Sequence, residues 1–202
     1  DVMQKYFSNV INAERKLFGD ISFSVEKVQT LSIKSGDLDH LERASLASAL
    51  ESDVYVIFGA SYIKSWLVDY LVSKDAINIH MGLSPYYRGS SCNFWAMYDG
   101  NPSYVGATIH KLTKGLDSGP MLYHCVPTYV GEDPFMFTMR SVDVAQQSLV
   151  DRISSGEVFN MVPIIQDKSA EIRYTRNADF TDDVASELLS RKTDLSSADF
   201  DY

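Results

Sequence analysis

Ile77-Asn78-Ile79-His80-Met81-Gly82-Leu83-Ser84-Pro85-Tyr86-Tyr87-Arg88-Gly89 decides how this chain is to be read. Its approach, Asp75 to His80, has the pattern of a buried strand carrying polar side chains at alternate positions, Asn78 and His80. Side chains alternate with period two along a strand, so the amide and the imidazole share one face. A core does not place two such groups side by side at a strand's end. A rigid strand that aims them, followed by a loop punctuated by Pro85, Gly82 and Gly89, has the organisation of a site.

Outward from this stretch, strand and helix patterns alternate. Helical spacing is expected over residues 2–18, closed by Gly19, and a strand over 25–33. A helix over about 38–51 follows, with Leu41, Leu46 and Leu50 inward. Val54 to Phe58 is a continuous apolar run suited to a strand covered on both faces. Helices are expected over 62–72, 92–97 and 135–155, and strands over 104–112 and 121–128. Residues 163–165 and 171–175 suggest a short hairpin. Strands alternating with helices predict an α/β domain, Rossmann-like, with a mostly parallel sheet and helices on both faces. In such sheets ligands bind outside the carboxyl ends of the strands. The loops after Phe58, after His80 and after the strand carrying His110 would then meet in one pocket.

The chain has 202 residues, is 45% hydrophobic and carries a formal net charge of −9. One domain over 1–178, with an acidic segment over 179–202, is the expected organisation. That last segment holds seven acids against Arg191 and Lys192 and reads as a helix over 182–191 followed by a frayed tail. No basic stripe offers to replace phosphate counterions, which weighs against a nucleic-acid partner. Cys92 and Cys125, without CxxC spacing, suit a reducing, cytoplasmic location. No apolar run has membrane-spanning length. The four histidines lack ligand-like spacing, so no metal is expected.

Two motifs then acquire a common meaning. Asn78-Ile79-His80, followed by Leu83, Pro85, Tyr87 and Gly89, resembles the Asn-x-His…Leu-x-Pro-x-Tyr-x-Gly loop of the folate-dependent formyltransferases. That family includes the glycinamide ribonucleotide, methionyl-tRNA and nucleotide-sugar formyltransferases. Gly106 to His110, with Asp117-Ser118-Gly119-Pro120 six residues further on, resembles its second signature. Phe58, Gly59, Ala60, Ser61 and Tyr62 resemble the segment lining the folate pocket, and the likeness spans roughly residues 52–176. Two departures stand out. Met81-Gly82 replaces the Pro-Ser or similar pair common after the histidine, and the family's opening strand–helix–strand is not visible. Residues 1–50 therefore read as following that opening, as though the sequence began part-way through a longer one. The resemblance implies the formyltransferase fold and 10-formyltetrahydrofolate as co-substrate. It also implies transfer to a primary amine of a small-molecule acceptor and catalytic positions at Asn78, His80 and Asp117.

The chemistry can be argued from the residues as well. Formyl transfer passes through a tetrahedral oxyanion and removes a proton from the attacking amine. Preorganised donors such as a protonated histidine and an amide NH2 are each worth about 3–4 kcal/mol at the developing charge. A carboxylate can hold His80 charged and accept the proton. Taken singly, each residue has an ordinary structural reading: a satisfied histidine, a turn asparagine, a turn aspartate. Their combination points to catalysis. Around them, Leu112, Thr113, Gly115 and Leu116 are candidates for the folate pocket. Tyr87, Arg88, Gly89 and His110 are candidates for the acceptor side. His110 could orient Asp117 or merely cap a strand, and Arg88 could meet an anionic group or be a solvated loop charge. Tyr86, Tyr87, Phe94 and Trp95 could stack on a flat heterocycle, with packing the weightier reading for the last two. Hydrolysis of 10-formyltetrahydrofolate, or a folate- or partner-binding domain without turnover, are the alternatives, and a homodimer is left open.

Overall fold

A computed structural model of the chain describes residues 1–20, 26–191 and 195. Its main sheet has four strands: β1 (Val56–Phe58), β2 (Ile77–His80), β4 (Ala107–Lys111) and β5 (Met121–Cys125), in the order β1-β2-β4-β5. A second sheet pairs β3 (Tyr87–Gly89) with β6 (Arg173–Thr175). The helices are α1 (Val2–Phe18), α2 (Ser65–Ser73), α3 (Cys92–Tyr98), α4 (Pro134–Ser154) and α5 (Asp182–Ser190). The α/β class holds, and the expected parallel pairing is present between β1 and β2 and between β3 and β6. Beyond β2 the main sheet is antiparallel, at β2–β4 and again at β4–β5.

Each long helix is begun by its own sequence. Asp1 caps α1 by accepting from the backbone N–H of Met3. Asp133 caps α4 by accepting from Phe135 and Met136, with Pro134 in the first turn, where a missing N–H costs nothing. The inner stripe of α4, Ala145 and Leu149, closes over Ile77, Ile79, Ile109 and Leu122 on one face of the sheet. Leu67, Val68 and Leu71 of α2 pack with Ile63 and Ala76 in a separate cluster. α3, β3, α4 and α5 share an aromatic core containing Tyr87, Phe94, Trp95 and Phe137, joined by Leu195. Ala185 of α5 is fully buried, so the acidic helix lies against the domain. The tail beyond it, at 192–194 and 196–202, is outside the described residues.

Several local expectations need correction. Residues 38–51 do not form one helix. They form three short 3-10 turns, Asp37–His40, Arg43–Leu46 and Ala49–Glu51. The side chain of Asp39 accepts from the N–H of Lys64 at 2.5 Å, and the carbonyl of Leu41 accepts from Trp66 at 3.3 Å. Tertiary bonds here draw the polar groups that a continuous helix would hold. Residues 26–33 carry no strand, and Val25 lies outside the described residues. β1 is not covered on both faces, since Val56 and Phe58 are exposed. The hairpin at 163–175 is absent. Ile164 instead bridges to Met121, and β6 reaches across the chain to β3. The glycine at position 89 is required there, with φ +88° and a β-carbon that would sit 1.9 Å from the Thr175 carbonyl oxygen.

Candidate active site

The register of β2 against β4 pairs Asn78 with His110 and His80 with Thr108. Directly paired residues share a face, so these four polar side chains stand together on one side of the sheet while Ile79 and Ile109 face α4 on the other. His80, Thr108 and His110 are buried. A buried polar face must satisfy its own groups, and the partners define a site.

Asn78 Nδ2 lies 3.0 Å from His110 Nε2 and 3.4 Å from Asp117 Oδ1. His110 Nδ1 lies 2.9 Å from the Lys111 carbonyl, which can only accept, so Nδ1 carries the proton and Nε2 receives the Asn78 amide hydrogen. This chain of bonds orients the amide with its NH2 toward Asp117. His80 Nδ1 is 3.5 Å from Asp117 Oδ2, and His110 Nε2 is 3.9 Å from Asp117 Oδ1. The carboxylate therefore sits among an amide and two imidazoles.

Burial pushes His80 below the ordinary imidazole range, against the pull of the Asp117 carboxylate and the Tyr87 carbonyl. Desolvation thus works against the charged form expected from the sequence, while the Asp117 carboxylate works for it. Its Nε2 faces the Tyr87 carbonyl at 3.4 Å and Cys92 Sγ at 3.5 Å. Cys92 is itself buried, its thiol pushed up to about 12 chiefly by desolvation, so it is no nucleophile. His110 is also lowered by burial.

The loop 112–119 does not converge by following a parallel strand. β4 runs opposite to β2, so the loop leaves beside the start of β2, where the Leu112 N–H donates to the Ala76 carbonyl at 2.7 Å. It then folds back across the polar face to deliver Asp117. A narrow pocket of about 60 Å³ opens between this loop and the segment after β1. Ala60, Ser61, Tyr62, Leu112, Thr113, Gly115 and Leu116 line it with Asn78, His110 and Asp117, while Ile57, Ile63 and Val68 add apolar wall. His80 does not line it and stands behind Asp117. Phe58 and Gly59 are exposed and lie outside it.

The residues expected on the acceptor side part company. His110 joins the polar face. Tyr87 is buried, with its hydroxyl donating to Asp99 at 3.2 Å and accepting from Asn101 at 2.8 Å. Arg88 pairs with Glu171 at 2.8 Å, and Gly89 serves the β3–β6 approach. Phe94 and Trp95 are core residues. Two residues that the sequence reading passed over matter here. Thr108 Oγ1 accepts from the Ser84 N–H at 2.8 Å and donates to the Gly82 carbonyl at 2.6 Å. Gln166 Nε2 donates to the carbonyls of Asp117 and Gly119 at 2.9 and 2.8 Å.

A carboxylate, an amide donor and an imidazole beside an apolar-walled slot suit a flat heterocycle carrying a transferable acyl group, and the rim residues Tyr62 and Leu116 are half-exposed. A family model described as formyl transferase matches residues 12–153. The chain is 29% identical over 150 residues to a methionyl-tRNA formyltransferase of Koribacter versatilis, covering 67% of this chain and 47% of that protein. It is 36% identical over 91 residues to formyltetrahydrofolate deformylase 2, mitochondrial, of Arabidopsis thaliana, covering 45% and 27%. The chain thus spans about half or less of these curated relatives' length. Among solved structures it superposes with a TM-score of 0.53 on a formyltransferase of Anoxybacillus kamchatkensis in complex with UDP-4,6-dideoxy-4-formamido-L-AltNAc and tetrahydrofolate. That match is 22% identical and covers 75% of this chain and 72% of that one. It also superposes at 0.50 on a phosphoribosylglycinamide formyltransferase of Anaplasma phagocytophilum, 18% identical over 68% and 71% of the two chains. These structural likenesses carry the fold, and the matched family model carries the membership: the chain belongs to the formyltransferase family.

Proposed function

We propose that this chain forms the formyl-transfer site of an enzyme that moves a formyl group from 10-formyltetrahydrofolate to a primary amine of a small-molecule acceptor. The meeting of Asn78, His80 and Asp117 carries this reading, with Asn78 and Asp117 on the wall of the narrow pocket and His80 paired to Asp117 outside it. The co-substrate supplies the formyl carbon; a bond forms from that carbon to the acceptor nitrogen, the bond to the folate nitrogen breaks, and one amine proton ends on the leaving nitrogen.

Asp117 is the group placed to take that proton. His80, through Nδ1–H, aims the carboxylate and disperses its charge. Asn78 is the donor for the formyl oxygen: its long 3.4 Å contact to Asp117 is the weaker of its two bonds and the one a developing oxyanion displaces. The 3.0 Å bond to His110 keeps the amide facing that way. The folate lies against Ala60 to Tyr62 and Leu112 to Leu116. The net charge of −9 favours a small acceptor over tRNA. A reducing, cytoplasmic setting agrees with two buried free thiols.

Hydrolysis of 10-formyltetrahydrofolate is the second reading, favoured by the resemblance to formyltetrahydrofolate deformylases. Incubating the full-length protein with 10-formyltetrahydrofolate and a panel of amino sugar nucleotides, amino-acid derivatives and glycinamide ribonucleotide separates the two. An N-formyl product appearing with tetrahydrofolate supports transfer, and formate released without amine dependence supports hydrolysis. Absence of both overturns the enzymatic proposal.

A further inference from the structure

Asp117 is delivered from its loop in a left-handed backbone conformation, which aspartate tolerates better than most residues but still adopts at a cost. Its φ is +43°, in the left-handed region where a side chain carries a steric cost. Such strain persists only where the surroundings over-determine it. The loop before it is exposed, from Lys114 to Leu116, while Gly119 after it is buried, so the side of the turn before Asp117 is not held by burial.

The constraint comes from 49 residues further along the chain. Both hydrogens of the Gln166 amide are spent on this turn, one on the Asp117 carbonyl at 2.9 Å and one on the Gly119 carbonyl at 2.8 Å. These two acceptors flank the turn that sets the direction of the Asp117 side chain. Gln166 is buried, and its Oε1 has no hydrogen-bond partner among the described residues. A buried unpaired acceptor costs stability, so packing alone does not account for a glutamine here, and its two donated bonds do. Its backbone is anchored independently, because Ile164, two residues before it, exchanges both bridge hydrogen bonds with Met121 at 2.7 Å. On the other side of the turn, a β-carbon at Gly119 would sit 1.7 Å from the Lys111 carbonyl oxygen, which forces close approach of the loop's end to β4. The turn is thus held between β4 and the Gln166 amide.

We infer that Gln166 is a positioning residue: its amide clamps the carbonyls of Asp117 and Gly119 and so holds the Asp117 carboxylate against His80 and Asn78. The inference rests on the proposed function for its catalytic consequence, but the geometry it asserts has its own readout.

The test is Gln166→Leu in the full-length protein, alone and combined with Asp117→Asn. The expected result is a folded protein with a Tm lowered by a few degrees, because the Asp117 and Gly119 carbonyls lose their donor, and a turnover reduced tenfold or more. Its His80 imidazole, followed by NMR, titrates at lower pH than in the parent, because Asp117, the carboxylate that faces it, has moved away. The other groups facing His80, namely His110, Arg88 and Cys92, are untouched. In the Asp117→Asn background the same substitution should cost no further turnover, since both changes disable one carboxylate. A folded Gln166→Leu with parental turnover and an unmoved His80 titration would overturn the inference. So would an equal loss in both backgrounds, which marks a general structural effect. Should Gln166→Leu fail to fold, Gln166→Glu, which keeps the length but loses both donors when ionised, is read by the same two measurements. If the parent protein transfers no formyl group, the proposed function fails while the His80 titration still decides whether the clamp exists.

Discussion

The two loops that carry the site are held in opposite ways. Loop 82–91 is bolted at nearly every residue. Thr108 binds both Gly82 and Ser84, His124 Nε2 lies 2.7 Å from the Ser84 carbonyl, and the chain then enters the β3–β6 pairing. Leu83, Ser84 and Tyr87 are buried. Loop 112–119 has an exposed tip and an Asp117 in the left-handed region, and is held mainly by side chains: Gln166 on Asp117 and Gly119, Asn78 and His80 on the Asp117 carboxylate, the Tyr62 hydroxyl donating to the Lys114 carbonyl at 2.5 Å, and Thr113 Oγ1 3.2 Å from Ser118 Oγ. The first loop is part of the core and keeps the imidazole still. The second is a carrier for one carboxylate. A site of this kind separates stability from chemistry by loop, and substitutions should sort accordingly.

The largest effect should come from the carrier. Asp117→Asn keeps shape and hydrogen-bonding capacity but removes the base, so turnover should fall about 10²–10⁴-fold. Tm should change little, because the loop adds little to the core. Steady-state kinetics with folate binding measured separately checks this. Retained turnover would remove Asp117 from the chemistry, and a collapse of Tm would erase the contrast between the loops.

Thr108→Val strikes the bolted loop. It is nearly isosteric, yet it leaves the Ser84 N–H and the Gly82 carbonyl buried without partners. Each such group costs about 1–3 kcal/mol, so the loss should total about 2–5 kcal/mol and lower Tm by roughly 5–15 °C. Turnover of the fraction that stays folded should be less affected than in Asp117→Asn. Denaturation scans alongside activity at low temperature measure both.

This contrast also marks what the sequence could disclose. The period-two alternation of Asn78 and His80 is a local signal, as is Asp117 between Gly115 and Gly119, and the structure brings those three together. The pocket wall from Ala60 to Tyr62 and from Leu112 to Leu116 was legible through the family's spacing. Gln166 was not, because a lone glutamine after Ile164 and Ile165 carries no local mark, and its partners lie 49 and 47 residues away in the chain. Thr108 passed for an ordinary strand residue, since its two bonds depend on the β2–β4 register. Tyr87 and Arg88 show the converse: an aromatic and a cation in a site loop look like ligand contacts from sequence, and their bonds to Asp99, Asn101 and Glu171 are not visible there. The sequence suggests one helix over about 38–51 because leucine spacing is visible there and the competing bonds to Lys64 and Trp66 are not.

Acid should act on stability through the three buried histidines. Burial lowers His80, His110 and His124 in the folded state, with the Ser84 carbonyl opposing the shift at His124. In the unfolded chain they titrate near the ordinary value of about 6.5. The unfolded state therefore binds protons first as pH falls, so the stability these groups contribute is complete above that value and is lost progressively below it. Tm should decline between pH 7 and pH 5, and a flat profile over that interval would show that none of the three is held neutral by the fold. In Asp117→Asn the decline should extend to lower pH, because the carboxylate that raises His80 is gone.

The smallest effect is expected at the tip of the carrier. Lys114 Nζ pairs with Asp69 of α2 at 2.5 Å, and both side chains are largely exposed. Exposed pairs contribute little, because water screens the attraction and both side chains lose freedom in forming it. The Lys114 carbonyl, which receives the Tyr62 hydroxyl, is a backbone group and survives any substitution. Lys114→Met should therefore leave Tm unchanged and turnover within about twofold, while Tyr62→Phe, which removes the bond to that carbonyl, should affect folate affinity more than turnover. If Lys114→Met instead lowers turnover as much as Gln166→Leu does, the carboxylate is held from the tip as well as the base. The loop would then be braced along its length, and its contrast with residues 82–91 would be one of exposure alone.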